Sequence, residues 1–306
     1  MVAGKDFLGV KPDGRLRVAY WNGEDPKEEL VRRVQAVAQH FVLKADDLKG
    51  LFVDTGRRMP IVLAQEDRNG VHIAQPVIDQ LIATIRRNSI DVVIIDPFVS
   101  SHRVTENDNN AIERVVKQWA QIADATNCAI NLIHHSRKTN GAEVTVEDGR
   151  GAVALLAAAR SARSLNQMSE VEAGKFGIEN RRYYFRVDNG KSNLTPPSDG
   201  AEWYRLHSVT LPNGPMGTDG ESVGVVTRWE VPDPMKGVTV DELKTVQNVV
   251  AAGEWRKDIQ SPNWVGHAVA KALNLNIDNP QDKAKIKTMV QTWLGSRSEE
   301  HTSELQ

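Results

Sequence analysis

Asp91-Val-Val-Ile-Ile-Asp96 is the stretch on which the fold turns. Its apolar residues follow one another without alternation and are all β-branched, as a strand covered on both faces of a parallel sheet requires. Upstream, Pro76 opens a helix carrying Val77, Leu81, Ile82 and Ile85. Downstream, Ile112, Val115, Val116, Trp119, Ile122 and Ala123 form a one-sided helical stripe, and Ala129–Ile133 (AINLI) follows as a second buried strand. Earlier still, Leu16–Trp21 (LRVAYW) predicts a strand, and Asp25-Pro26-Lys27-Glu28 has the form of a capping box with proline at the first helical position. The helix it starts bears Leu30, Val34, Val37 and Phe41. Leu51–Asp54 is a further strand, and IVLAQEDRNGVHI around Asn69-Gly70 reads as a hairpin with a primed turn. Strands alternating with helices give an α/β doubly wound domain, a mostly parallel sheet flanked by helices.

The second half predicts a polar loop over Ser136–Arg150, a helix over Gly151–Arg163, and strands at Arg182–Val187, Trp203–Val209 and Val223–Val231. Val231–Gly237 (VPDPMKG) has the composition of a linker, which closes a first domain at residues 1–230. Residues 238–296 form a small helical, winged-helix-like module. Thr239-Val-Asp-Glu242 is a capping box, Asn263 is expected to cap a helix carrying Trp264, Val265 and Val269, and Ile286, Val290 and Trp293 mark a third helix. The last residues, 297–306 (RSEEHTSELQ), match the translation of a sequencing-library adapter and are set aside as an artefactual tail. Met1-Val-Ala-Gly4 reads as the last turn of a helix closed by glycine, so the reading frame is expected to begin inside a longer gene.

Composition sets outer bounds. With 306 residues, 40% hydrophobic and 25% charged, the chain can bury a sizeable core. A net charge of −2 leaves no global basic footprint, so contact with nucleic acid must come from local patches. The single cysteine, Cys128, excludes a disulfide framework and a cysteine zinc site. No apolar run approaches the roughly 18 residues of a membrane span, and the expectation is a soluble, cytoplasmic protein.

In open α/β sheets, ligands bind beyond the carboxyl ends of the strands. Asp96 ends its strand as a carboxylate able to meet magnesium directly or through water; a turn or helix cap is the plainer alternative. Glu24, after the first strand, can orient and deprotonate a water, or can be a charge favoured by the following helix start. His134-His135-Ser136 puts hydrogen-bond donors beyond AINLI, though such a pair is often structural.

The ordered set GEDP, DVVIIDP, INLIHHSRK, RGAVALLAAARSAR and NGKSNLTPP, spread from about residue 10 to residue 230, resembles the RepA-type hexameric helicases within the RecA-like ATPases. The resemblance implies ATP and Mg2+ as cofactors, a homo-hexameric ring and single-stranded DNA as partner. It matches Glu24 to the catalytic glutamate, Asp96 to the Walker B aspartate, and His134 or His135 with Ser136 to the γ-phosphate sensor. Arg160 falls where an arginine finger reaches the neighbouring subunit, with Arg163 its competitor, and Lys191 matches a basic position that approaches nucleotide from the adjacent subunit. Arg137, Lys138 and Arg150 would face DNA in the ring channel.

One departure is large. No G-x-x-x-x-G-K-[S/T] occurs; Gly190-Lys191-Ser192 has Phe185 in place of the first glycine and runs into NLTPP, which cannot open a helix. In related chains the phosphate loop precedes the GEDP strand, so truncation upstream of Met1 is the expected reason, and the chain by itself is expected to be inactive. Two other readings stand beside the helicase: a RecA-fold ATPase switch or recombination accessory without unwinding, and a DNA-binding regulator acting through the C-terminal module.

Overall fold

A computed structural model describes residues 1–137, 142–149, 152–193, 200–215 and 218–303, apart from the side chains of 152 and 295–303. The order is β1 (Val18–Asn22), α1 (Lys27–His40), β2 (Leu51–Thr55), β3 (Ala64–Asp67), β4 (Gly70–Ile73), α2 (Gln75–Arg87), β5 (Val92–Asp96), α3 (Asn109–Thr126) and β6 (Ala129–Leu132). Then come α4 (Ala152–Ala158), β7 (Ser161–Gln167), α5 (Glu170–Phe176), β8 (Tyr184–Ser192), β9 (Glu202–Thr210), β10 (Ser222–Arg228), α6 (Val240–Ala251), α7 (Val265–Leu273) and α8 (Pro280–Ser303). Two compact units result: Met1–Asn166 with Arg186–Arg228, and Gln167–Phe185 with Trp229–Gln306.

The first unit is built on a parallel sheet of order β2-β1-β5-β6. Its register sets Trp21 beside Ile95 and Asn22 beside Asp96, so side chains at matching positions share a face. On one face Trp21, Val93 and Ile95 join Ile78 and Ile85 of α2 and Ile112, Val115, Trp119 and Ile122 of α3 in the main core. Each such side chain, fully buried, contributes roughly 1.5–3 kcal/mol, and this layer fixes β5 beneath the site. α3 starts where the Asp108 carboxylate accepts the amides of Asn110 and Ala111, and stops at Asn127 in the left-handed conformation. A second sheet has the order β10-β9-β8-β7, and Ala36 of α1 packs with Val209, Leu211 and Val225.

Several expectations need correction. β6 is an edge strand with Ala129, Asn131 and Ile133 exposed, not a strand buried on both faces, because among the described residues no further strand pairs with it. α1 has Pro26 at its cap position with no side-chain cap; the Asp25 carboxylate pairs with Arg33 instead. The hairpin turn is not primed: Gly70 has φ +108°, neither Arg68 nor Asn69 has positive φ, and the Asn69 amide bonds the Asp67 carboxylate. The helix expected over Gly151–Arg163 ends at Ala158, and Arg163 lies in β7. That strand was hidden because its inward residues, Ser164 and Asn166, are buried but polar. Met1–Ala3 forms a turn ended by Gly4 at φ +63°, with no helix assigned.

In the second unit α6, α7 and α8 enclose Val246, Trp264, Val269, Ile286, Met289 and Val290. The Thr239 hydroxyl accepts the Glu242 amide, as its box predicts, whereas Trp264 and not Asn263 occupies the cap position of α7. No strand of a wing is assigned from residue 238 onward among the described residues. Gln167–Phe185 groups here and not with the first 230 residues, since α5 packs on α8 and a side-chain carbon on Gly177 would meet Gln281 Cα at 2.8 Å.

Candidate functional site at the strand ends

Because β2, β1, β5 and β6 are parallel, their carboxyl ends open on one edge of the sheet. Asn22 lies between Thr55 and Asp96 in register, and both Asn22 and Thr55 are 3% exposed. The ladder runs one residue further, through the Gly23 amide to Asp96 O (2.7 Å) and the Gly56 amide to Asn22 O (2.8 Å). The crossing is tight. A Cβ on Gly23 would fall 2.4 Å from Ser100 Cβ and would force the neighbouring loop to move, and one on Gly56 would crowd Trp21 Cζ2 at 2.9 Å and Gly23 Cα at 3.0 Å.

Asp96 is braced from β1. The Tyr20 hydroxyl donates to Asp96 Oδ2 (2.8 Å), and Asn22 Nδ2 donates to the Tyr20 oxygen (3.1 Å) and, at the geometric limit, to Asp96 Oδ2 (3.4 Å). Burial, followed by the nearby Asp96 carboxylate, pushes the Tyr20 phenol from 10.0 up to about 12, although the Asn22 bond opposes the shift. Tyr20 therefore stays a donor at neutral pH.

The Glu24 loop is pinned through its backbone. Asn22 Oδ1 accepts the Glu24 amide (2.9 Å) and the Asp25 amide (2.7 Å), Thr55 Oγ1 donates to Asp25 O (2.6 Å), and Arg57 Nε donates to Glu24 O (3.2 Å). The Glu24 carboxylate itself faces solvent, its side chain 59% exposed, with His135 Nε2 at 3.8 Å from Oε1. A fixed backbone carrying a solvent-facing carboxylate is a geometry suited to a general base.

The two histidines beyond β6 diverge. His135 turns toward Glu24, while His134 sits edge-on to Phe98, ring centroids 5.8 Å apart, and Phe98 in turn packs on the buried His102 at 4.8 Å. Ser136 is exposed and forms a bridge with Gly149; the Arg137 amide bonds Asp148 O. Lys138 and Arg150 lie outside the described residues. Arg160 follows α4 and Arg163 lies on β7, both exposed. Lys191 is in β8, not a loop, and its ammonium donates to Leu156 O (2.7 Å) and Ala157 O (3.3 Å), capping the carboxyl end of α4. Gly190-Lys191-Ser192 is thus extended strand.

Tyr20, Asn22 and Thr55 are the residues the sequence reading missed. The available signal was period two: Val18, Tyr20 and Asn22 share one face of β1, and the last two are polar just before Glu24.

Asp96 suits magnesium by the hardness of its oxygen, and no cluster of three or more metal-ligating side chains occurs among the described residues. No helix among the described residues is long and apolar enough to cross a membrane.

Residues 1–141, a little under half of the chain, match the family model of an AAA domain. The match supports the P-loop, RecA-like ATPase superfamily, which uses nucleotide and Mg2+ and works as an ATPase. Among curated proteins the chain has no match.

Proposed function

We propose that the chain is the larger part of an ATP-driven DNA helicase or translocase motor of RepA type, working with Mg2+ as a homo-hexameric ring on single-stranded DNA. The observation that carries this reading is the shared edge of the sheet, where a braced Asp96 and a backbone-pinned, solvent-facing Glu24 come from adjacent parallel strands. Asp96 would hold the magnesium, which when bound neutralises phosphate charge. Glu24 accepts the proton of the attacking water, and His135, 3.8 Å from it, is the better placed of the two histidines to bond a terminal phosphate beside that water.

The phosphate cradle is proposed to come from a strand, loop and helix preceding Met1. Two observations support this: no G-x-x-x-x-G-K-[S/T] lies in the sequence, and among the described residues β6 is the last strand of the sheet, with Ile133 40% exposed beside it. A further parallel strand would pair with that edge. Arg160 or Arg163 would serve as the finger toward a neighbouring subunit, a proposal supported by their exposure near the edge strand β7. Lys191 would act indirectly, by holding the end of α4. Arg137, Lys138 and Arg150 are proposed as contacts to the DNA backbone.

The test joins the chain to the segment encoded upstream and measures ATP turnover and strand displacement together. Turnover stimulated by single-stranded DNA, with displacement of an annealed strand, is the expected result. Turnover without displacement would favour the ATPase switch; duplex binding by residues 237–296 with no nucleotide effect would favour the regulator.

A further inference from the structure

We infer that Tyr20 is a positioning residue that presents a single oxygen of Asp96 to the metal, an inference resting on the nucleotide-site reading above. Tyr20 and Asn22 are two residues apart on β1 and so point to the same side of the sheet as Asp96, whose register partner is Asn22. The short bond from the phenol (2.8 Å) and the long one from the amide (3.4 Å) both end on Oδ2. Among the described residues no donor reaches Oδ1. The amide cannot be flipped to change this, because its own oxygen already accepts two backbone amides of the Glu24 loop. Rotation of the carboxylate would therefore break the 2.8 Å bond, and Oδ1 is left as the oxygen free for a hard cation. Partners that orient a metal-binding carboxylate in this way typically change metal affinity by roughly 10–100-fold when removed.

The experiment titrates Mn2+ alone into the full chain and follows free metal by electron paramagnetic resonance. Asp96→Asn should abolish the site and Tyr20→Phe, which keeps the ring and deletes the donor, should weaken it by about 10–100-fold. The melting temperature of Tyr20→Phe, read on the same samples, should stay close to that of the parent. If Asp96→Asn abolishes binding and Tyr20→Phe leaves it unchanged, the inference about Tyr20 falls and the metal assignment stands. If the parent shows no site that Asp96→Asn removes, both fall. Weakening seen only together with loss of the folded far-ultraviolet signal also counts against a positioning role.

Discussion

Asn22→Ala tests the framework that joins the two carboxylates. The residue is 3% exposed, and its side chain accepts two good hydrogen bonds, at 2.9 and 2.7 Å, from the amides of Glu24 and Asp25. At about 1 kcal/mol net for each of these part-buried bonds, and somewhat more where an amide is left without a partner, the loss comes to about 2–3 kcal/mol. The 3.4 Å contact with Asp96 adds little at that length. Urea unfolding of parent and variant should show a lower midpoint with unchanged slope. Asn22→Asp sharpens the test, since it restores an acceptor for the two amides but removes the donor and sets a second carboxylate beside Asp96. Repulsion raises the folded-state carboxyl pKa above its unfolded value. The folded state then binds the extra proton, so the variant should be weakest at about pH 7 and recover toward about pH 5. A loss below about 0.5 kcal/mol for Asn22→Ala, within the range of ordinary surface substitutions, would refute the claim that Asn22 organises the loop.

Two further outcomes are expected. Burial holds the His102 imidazole below its ordinary 6.5, its Nδ1 accepting the Val104 amide at 3.4 Å; the unfolded state therefore binds the proton first, and stability should fall as the pH drops below 6.5. His102→Leu should flatten that part of a pH series of urea melts. For the proposed ring, mixing Glu24→Gln subunits with Arg160→Ala subunits, each joined to the proposed phosphate-loop segment, should restore turnover above the sum of the two. Some interfaces then hold an intact Glu24 and an incoming Arg160, and an arginine supplied in trans can contribute on the order of a thousandfold; no recovery despite co-assembly would move the assignment to Arg163.

The parallel sheet was legible because the evidence for it is local. In DVVIID, Val93 and Ile95 reach the core while Val92 and Ile94 on the other face are only half-buried, and the stripe of α3 buries Ile112, Val115, Val116, Trp119 and Ile122 as its spacing predicts. What escaped were features decided by tertiary partners. Asp25 reads as a cap, yet Arg33 takes its carboxylate at 2.9 Å; the polar Ser164 and Asn166 masked β7, and the burial of Asn166 rests on its bonds to both backbone groups of Val144. At the site, Glu24 and Asp96 were readable as strand ends. The brace between them was not, because it depends on the register of β1 against β5.

The central claim is that the carboxyl edge of this sheet hydrolyses a magnesium-bound nucleotide. Its most direct test is ATP turnover and ATP affinity, measured side by side on the chain joined to the proposed phosphate-loop segment and on the Glu24→Gln form. The amide keeps the size of the side chain and one hydrogen-bonding oxygen but is a poor base, so turnover should fall by about 10²–10⁴-fold while nucleotide affinity is retained. Full turnover in Glu24→Gln, or no nucleotide binding in the joined parent, would contradict the account.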